Sequence, residues 1–167
     1  MKSAIRVKIM ETESEHLASI AWERGKWVDF PGKYSREHLW HFASGAKLKA
    51  SETPFLTPEG YRDNAKLDPE KLYVATIASS HMLTWLEIAL GMEIDVASYL
   101  DSAHGIMSEL KDGVYWVSEV ILHPKITYGP RRSATTVAEA RLHEMAHEQC
   151  FIEQSIKTKV TVRAEPA

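Results

Sequence analysis

Residues 68 to 91 read DPEKLYVATIASSHMLTWLEIALG, and this stretch decides the architecture. Asp68 is a good helix N-cap, Pro69 suits the first helical position, and Gly91 stands where a C-terminal stop is expected. The span from Glu70 to Leu90 therefore reads as one long helix. Apart from Glu70, Lys71 and Glu87, its polar members are small or uncharged: Thr76, Ser79, Ser80, His81 and Thr84. A helix that is apolar nearly all round is buried in a core rather than laid on a surface. We expect it at the centre of the fold.

On its N-terminal side, residues 16 to 50 read as short strands and turns. Ala18 to Trp22 is the first strand, Glu23 to Lys26 a turn, and Phe30-Pro31-Gly32-Lys33 a second turn. Glu37 to Phe42 and Ala46 to Ala50 can pair about Ser44-Gly45. Residues 51 to 69 carry Pro54, Pro58, Gly60 and Pro69 and read as an irregular connection. On the C-terminal side, residues 94 to 128 read as antiparallel strands, with Lys111-Asp112-Gly113 as a hairpin turn and Val114 to Leu122 as a half-buried strand. Thr136 and Glu139 form a capping box for a second helix running to about Ser155, and Ile156 to Arg163 is a last strand. Strands, a buried helix, strands, a helix and a strand give an α+β fold with antiparallel sheet around the central helix.

The 167 residues fit one domain spanning 1–167. Twenty basic against 23 acidic side chains leave a net charge of −3, so nothing global draws the chain to nucleic acid or to an anionic membrane. No run of 18 apolar residues occurs, and the N-terminus has no apolar signal region. The expectation is a cytoplasmic protein with neither nucleic-acid nor membrane partners. Cys150 is the single cysteine, so no disulfide forms within the chain. Because Cys150 precedes Phe151-Ile152, it is expected to be largely buried.

Two places carry candidate chemistry. Ser79-Ser80-His81 lies in mid-helix, but consecutive helical residues point about 100° apart, which argues against a Ser-His hydrolase. His143-Glu144-Met145-Ala146-His147 matches H-E-x-x-H, the zinc-hydrolase pattern, with Cys150 on the same face. The bland alternative is a stripe on an amphipathic helix.

The stretch from Asp68 to Leu86 resembles the central-helix motif of the OsmC/Ohr family. Leu142 to Ser155 resembles that family's second-cysteine motif. Tyr34 to Phe42 and Asp101 to Pro124 resemble its strand regions. The resemblance implies an intertwined α+β homodimer and thiol-dependent reduction of organic hydroperoxides, with no bound cofactor or metal. In such a cycle a peroxidatic thiolate attacks the O–O bond and becomes a sulfenic acid, and a resolving cysteine closes a disulfide. A cellular thiol reductant then reopens it. By resemblance Cys150 matches the resolving cysteine, Glu70 the glutamate at the helix start, and Arg36 the arginine beside the nucleophile. The peroxidatic position falls on Ser80, and a serine has no sulfenic acid to form. The two-cysteine cycle is therefore expected to be absent or impaired, with three explanations open: a natural member that lost the activity, a deliberate Cys→Ser replacement at position 80, or Cys150 working alone with an external thiol.

Spacing adds one inference. Ten helical residues rise about 15 Å, so Glu70 and Ser80 on one straight helix cannot meet within a chain, whereas a symmetric dimer could bring them together. Two other readings stand beside the first. One is a non-catalytic homodimer holding a small organic molecule near Trp40 and Trp85. The other is a zinc hydrolase using His143, Glu144 and His147. His143 and His147 fall inside the second-cysteine motif, which weighs against zinc.

Overall fold

A computed structural model describes residues 14–23, 36–52 and 67–164. The described residues fall into two compact units, one reaching to Leu72 and one starting at Tyr73.

The first unit holds a three-stranded antiparallel sheet in the order β1 (Ala18–Ala21), β2 (His38–Phe42), β3 (Lys47–Ala50). Ile20 lies opposite Trp40, and Trp40 opposite Leu48. The β2–β3 turn is where the sequence places it: Gly45 takes φ +87, which a side chain would resist, and His41 then faces Lys47. The turn at 30–33 and most of the connection at 51–69 lie outside the described residues, as does the turn at 23–26 beyond Glu23.

Helix α1 runs from Pro69 to Gly91. Asp68 caps it, its Oδ1 accepting the Lys71 N–H at 2.8 Å. The other end departs from expectation. Gly91 is still helical, and the left-handed residue is Glu93, at φ +57. The Ile94 N–H donates to Ala89 O and the Glu93 N–H to Leu90 O, which is the Schellman pattern of a helix stop. Holding a non-glycine residue in that conformation costs about 1 kcal/mol.

In the single chain the burial of α1 is one-sided. Ile77, His81, Trp85, Ile88 and Ala89 are buried. Ala75, Ser79, Leu83, Glu87 and Leu90, spaced three or four apart, form an exposed stripe on the single chain; Leu83 is 60% and Leu90 72% exposed.

Around the buried side lie two small sheets and a second helix. Strands β4 (Val96–Asp101) and β7 (Pro124–Tyr128) pair antiparallel. Strands β5 (His104–Lys111) and β6 (Val114–Leu122) form a hairpin, turned by Asp112 at φ +48 and Gly113 at φ +80. The last strand, β8 (Lys159–Val162), is shorter than the 156–163 expected and runs parallel to β6, so the sheet is not wholly antiparallel. Helix α2 (Thr136–Gln149) is part of the long crossover that a parallel neighbour requires.

Helix α2 starts and stops differently from its sequence pattern. Thr135, not Thr136, is the N-cap, and its side chain accepts the Ala138 N–H. Glu139 therefore closes no capping box; its carboxylate accepts the Tyr128 hydroxyl instead. The helix ends at Gln149 rather than near Ser155, because Cys150 takes an extended backbone and a short 3-10 turn, Glu153–Ser155, follows.

The core has two parts. Trp85, Ile88, Ala89, Ile94, Ile126, Leu142 and Ala146 form the first, which packs α1 and α2 together with β7. Ile77, Val120 and Leu122 form the second, under β6 and β8. Among the described residues, no helix is long and apolar enough to cross a membrane.

Candidate redox-position site

Ser80 on α1 and Cys150 at the C-cap of α2 meet in the fold although 70 positions separate them. The Cys150 thiol donates to Ser80 Oγ at 3.1 Å. Cys150 is fully buried, as its apolar neighbours suggested, and its backbone N–H donates to Ala146 O. The meeting follows from packing. The buried face of α1 puts Ser80 at the edge of the α1–α2 contact, and α2 stops there.

Beside this pair runs a chain of buried hydrogen bonds that local sequence patterns did not disclose. His81 Nδ1 donates to Glu153 Oε1 at 2.7 Å, and both side chains are fully buried. His147 Nδ1, on a half-exposed side chain, donates to Glu153 Oε2. His81 Nε2 and His143 Nδ1 share a hydrogen bond of 3.0 Å, with ring planes 9° apart. Burial works to raise the Glu153 pKa, but the hydrogen bonds from His81 and His147 hold it below the usual carboxylate range. Burial, with the His81 charge beside it, pushes the His143 imidazole down to about 4. Trp85 packs on His143 and on Tyr99 at 5.6 Å each, with Tyr99 edge-on. Burial, then the Asp101, Glu139 and Glu153 carboxylates, push the Tyr99 phenol up. Burial likewise raises Asp101, against the His123 N–H that its Oδ1 accepts.

The other sequence candidates are placed as follows. Glu70 is the second residue of α1, ten before Ser80, so α1 starts early enough for the 15 Å argument to hold. Its Oε2 is buried without a hydrogen-bond partner among the described residues. Arg36 pairs with Glu52 at 2.9 Å. Both Glu70 and Arg36 belong to the unit that reaches to Leu72. Trp40 stacks at a tilt with His38 and Phe42, whereas Trp85 is fully buried core and lines no open surface.

The H-E-x-x-H residues do not converge. His143 and His147 turn to different partners, and Glu144 pairs with Arg141 at 2.6 Å on the surface. His143 Nδ1 is engaged with His81 and His147 Nδ1 with Glu153, while His143 Nε2 is buried with no hydrogen-bond partner among the described residues. Among the described residues, no group of three or more His, Cys, Asp or Glu side chains is arranged to hold a metal ion. The periodicity of α2 put the two histidines on one face, but the side chains' hydrogen bonds decided what they serve. Glu153 was the residue missed. One signal for it existed: a lone histidine on an apolar helix needs a partner.

Comparison with known proteins bears on the family and the fold. A family model described as OsmC-like protein matches residues 62–165. An OsmC-like protein of unknown function from Vibrio cholerae is 36% identical, with a TM-score of 0.87, covering 92% of this chain and 100% of its own. An organic hydroperoxide resistance protein from Legionella pneumophila is 19% identical, with a TM-score of 0.66, over 92% of this chain and 97% of that one. One from Bacillus subtilis is 15% identical, with a TM-score of 0.63, over 91% and 97%. These last two share the fold. No curated protein matches. The family match across most of the chain, on a fold in which the two motif positions touch, places this protein in the OsmC-like family.

Proposed function

We propose that this chain is an OsmC-like stress-response protein on the hydroperoxide-reductase scaffold, and that Ser80 removes its two-cysteine cycle. The observation that carries the reading is the 3.1 Å contact between Ser80 Oγ and Cys150 Sγ. In a two-cysteine site, a thiolate takes the terminal oxygen of ROOH, releasing ROH after proton transfer. The sulfenic acid then condenses with the second thiol, expelling water and forming the S–S bond. Here the partner of Cys150 is a hydroxyl, which stays protonated at neutral pH and cannot form that bond. The apolar lining of α1 favours an organic peroxide over a small hydrophilic one.

The test is consumption of cumene hydroperoxide with dithiothreitol as reductant. The chain as it stands should run at background, and Ser80→Cys should gain on the order of 100-fold. Equal consumption by both, abolished by Cys150→Ser, would replace this reading with a one-cysteine peroxidase. No consumption by either would favour the non-catalytic binding reading.

The working form is a homodimer. Supporting this are the exposed stripe Ala75, Ser79, Leu83, Glu87 and Leu90, apolar or small but for one glutamate, and the unpartnered buried oxygen of Glu70. Sedimentation equilibrium at micromolar concentration should return twice the chain mass of 18.9 kDa. A single-chain mass would remove the dimer from the proposal.

A further inference from the structure

We propose that His81 and Glu153 are positioning residues for the Ser80–Cys150 pair: their buried hydrogen bond holds α1 to the α2 corner so that the two reacting positions face each other. His81 follows Ser80 directly on α1, and Glu153 stands three residues beyond Cys150, at the start of the 3-10 turn that follows α2. The 2.7 Å His81–Glu153 bond therefore ties together the two backbone segments that carry the 3.1 Å Cys150–Ser80 contact. His143 and His147 attach to the same tie from α2, the helix that ends at Cys150. Four polar side chains from three elements thus converge beside the pair. The two at the centre have no exposed side-chain surface.

Apolar packing brings α1 and α2 together here, and the His81–Glu153 bond adds a directional tie from α1 to the turn beyond Cys150. Cys150 sits in an extended conformation after the last helical turn, so helical hydrogen bonding alone does not set its direction. Local bonds onto the α2 backbone, the Gln154 N–H to Cys150 O and Gln154 Nε2 to His147 O, shape the turn but do not reach α1. The carboxylate of Glu153 reaches both helices at once, which a neutral apolar side chain of the same size could not do with directional bonds.

The inference rests on the Ser80–Cys150 proximity and not on peroxidase activity, so the two can fail separately. In the Ser80→Cys protein, the equilibrium between its disulfide and dithiothreitol measures the effective concentration of one thiol at the other, a direct readout of alignment. Adding Glu153→Ala is expected to lower that effective concentration at least about tenfold. Glu153→Gln, which keeps an acceptor for His81, should recover most of the loss. Val120→Ala, which destabilises the other half of the core, should leave the value within about threefold of the Ser80→Cys parent despite its lower stability. If Glu153→Ala does not fold, His81→Phe breaks the same tie from the other side and carries the same expectation. An unchanged effective concentration in Glu153→Ala or His81→Phe would overturn the inference. So would an equal drop in Val120→Ala, because alignment would then simply follow global stability.

Discussion

Between pH 6.5 and pH 4 the protein should lose up to about 3 kcal/mol of stability through His143 alone. Burial and the neighbouring His81 push the folded-state imidazole down to about 4, from 6.5 in the unfolded chain. Above pH 7 both states are neutral at this site and it contributes nothing to the pH dependence. As pH falls below 6.5, the unfolded chain takes up a proton that the folded chain refuses, so unfolding is favoured until the folded pKa is reached. Glu153 adds in the same direction lower down: its folded pKa is depressed, so its stabilisation is lost as pH falls through that value. Asp101, raised by burial, works in the opposite sense and blunts the acid end. Urea unfolding at several pH values between 7 and 4 checks this. His143→Gln should flatten the slope over the same window. An identical slope in parent and variant would assign the acid sensitivity elsewhere.

Trp85→Ala should cost about 3–5 kcal/mol, the largest single-residue effect expected in the core. Trp85 has no exposed surface, and its ring is the shared neighbour of Tyr99, His143 and the α1–α2 cluster. Removing it deletes a large apolar volume and opens the face of the buried imidazole. The indole nitrogen has no hydrogen-bond partner among the described residues, so Trp85→Phe loses little polar energy and should recover most of the stability. Because Trp85 helps bury His143, the alanine variant should also show a narrower acid transition, and the two changes should not be additive. Equilibrium unfolding in urea measures both, and a loss under about 1 kcal/mol would mean that the site collapses to fill the space.

Much of this protein was legible along the chain because the relevant signals are local. Asp68-Pro69 announces α1 through its cap, and the cap is there. Asp112-Gly113 announces its hairpin because few residues accept positive φ, and both take it. Val114 to Leu122 alternates, and it is a strand over those residues. Signals that depended on a neighbour in space misled. Thr136 and Glu139 have capping-box spacing, but the Tyr128 hydroxyl holds the Glu139 carboxylate and Thr135 does the capping. Gly91 looked like the helix stop, but the backbone turned two residues later at Glu93.

By itself the sequence determined the α+β order, the central helix, the absence of any intrachain disulfide and the serine at position 80. Each of these depends on residue identity or on the period of a single element. Only the tertiary structure decided that Ser80 and Cys150 touch. It also decided that β8 runs parallel to β6, that H-E-x-x-H is dispersed among other partners, and that Glu153 sits beneath His81 and His147. The physical reason is the same in each case. A buried polar group must find a hydrogen-bond partner, and which partner it finds depends on how two helices and a turn pack, a long-range outcome that no local pattern encodes.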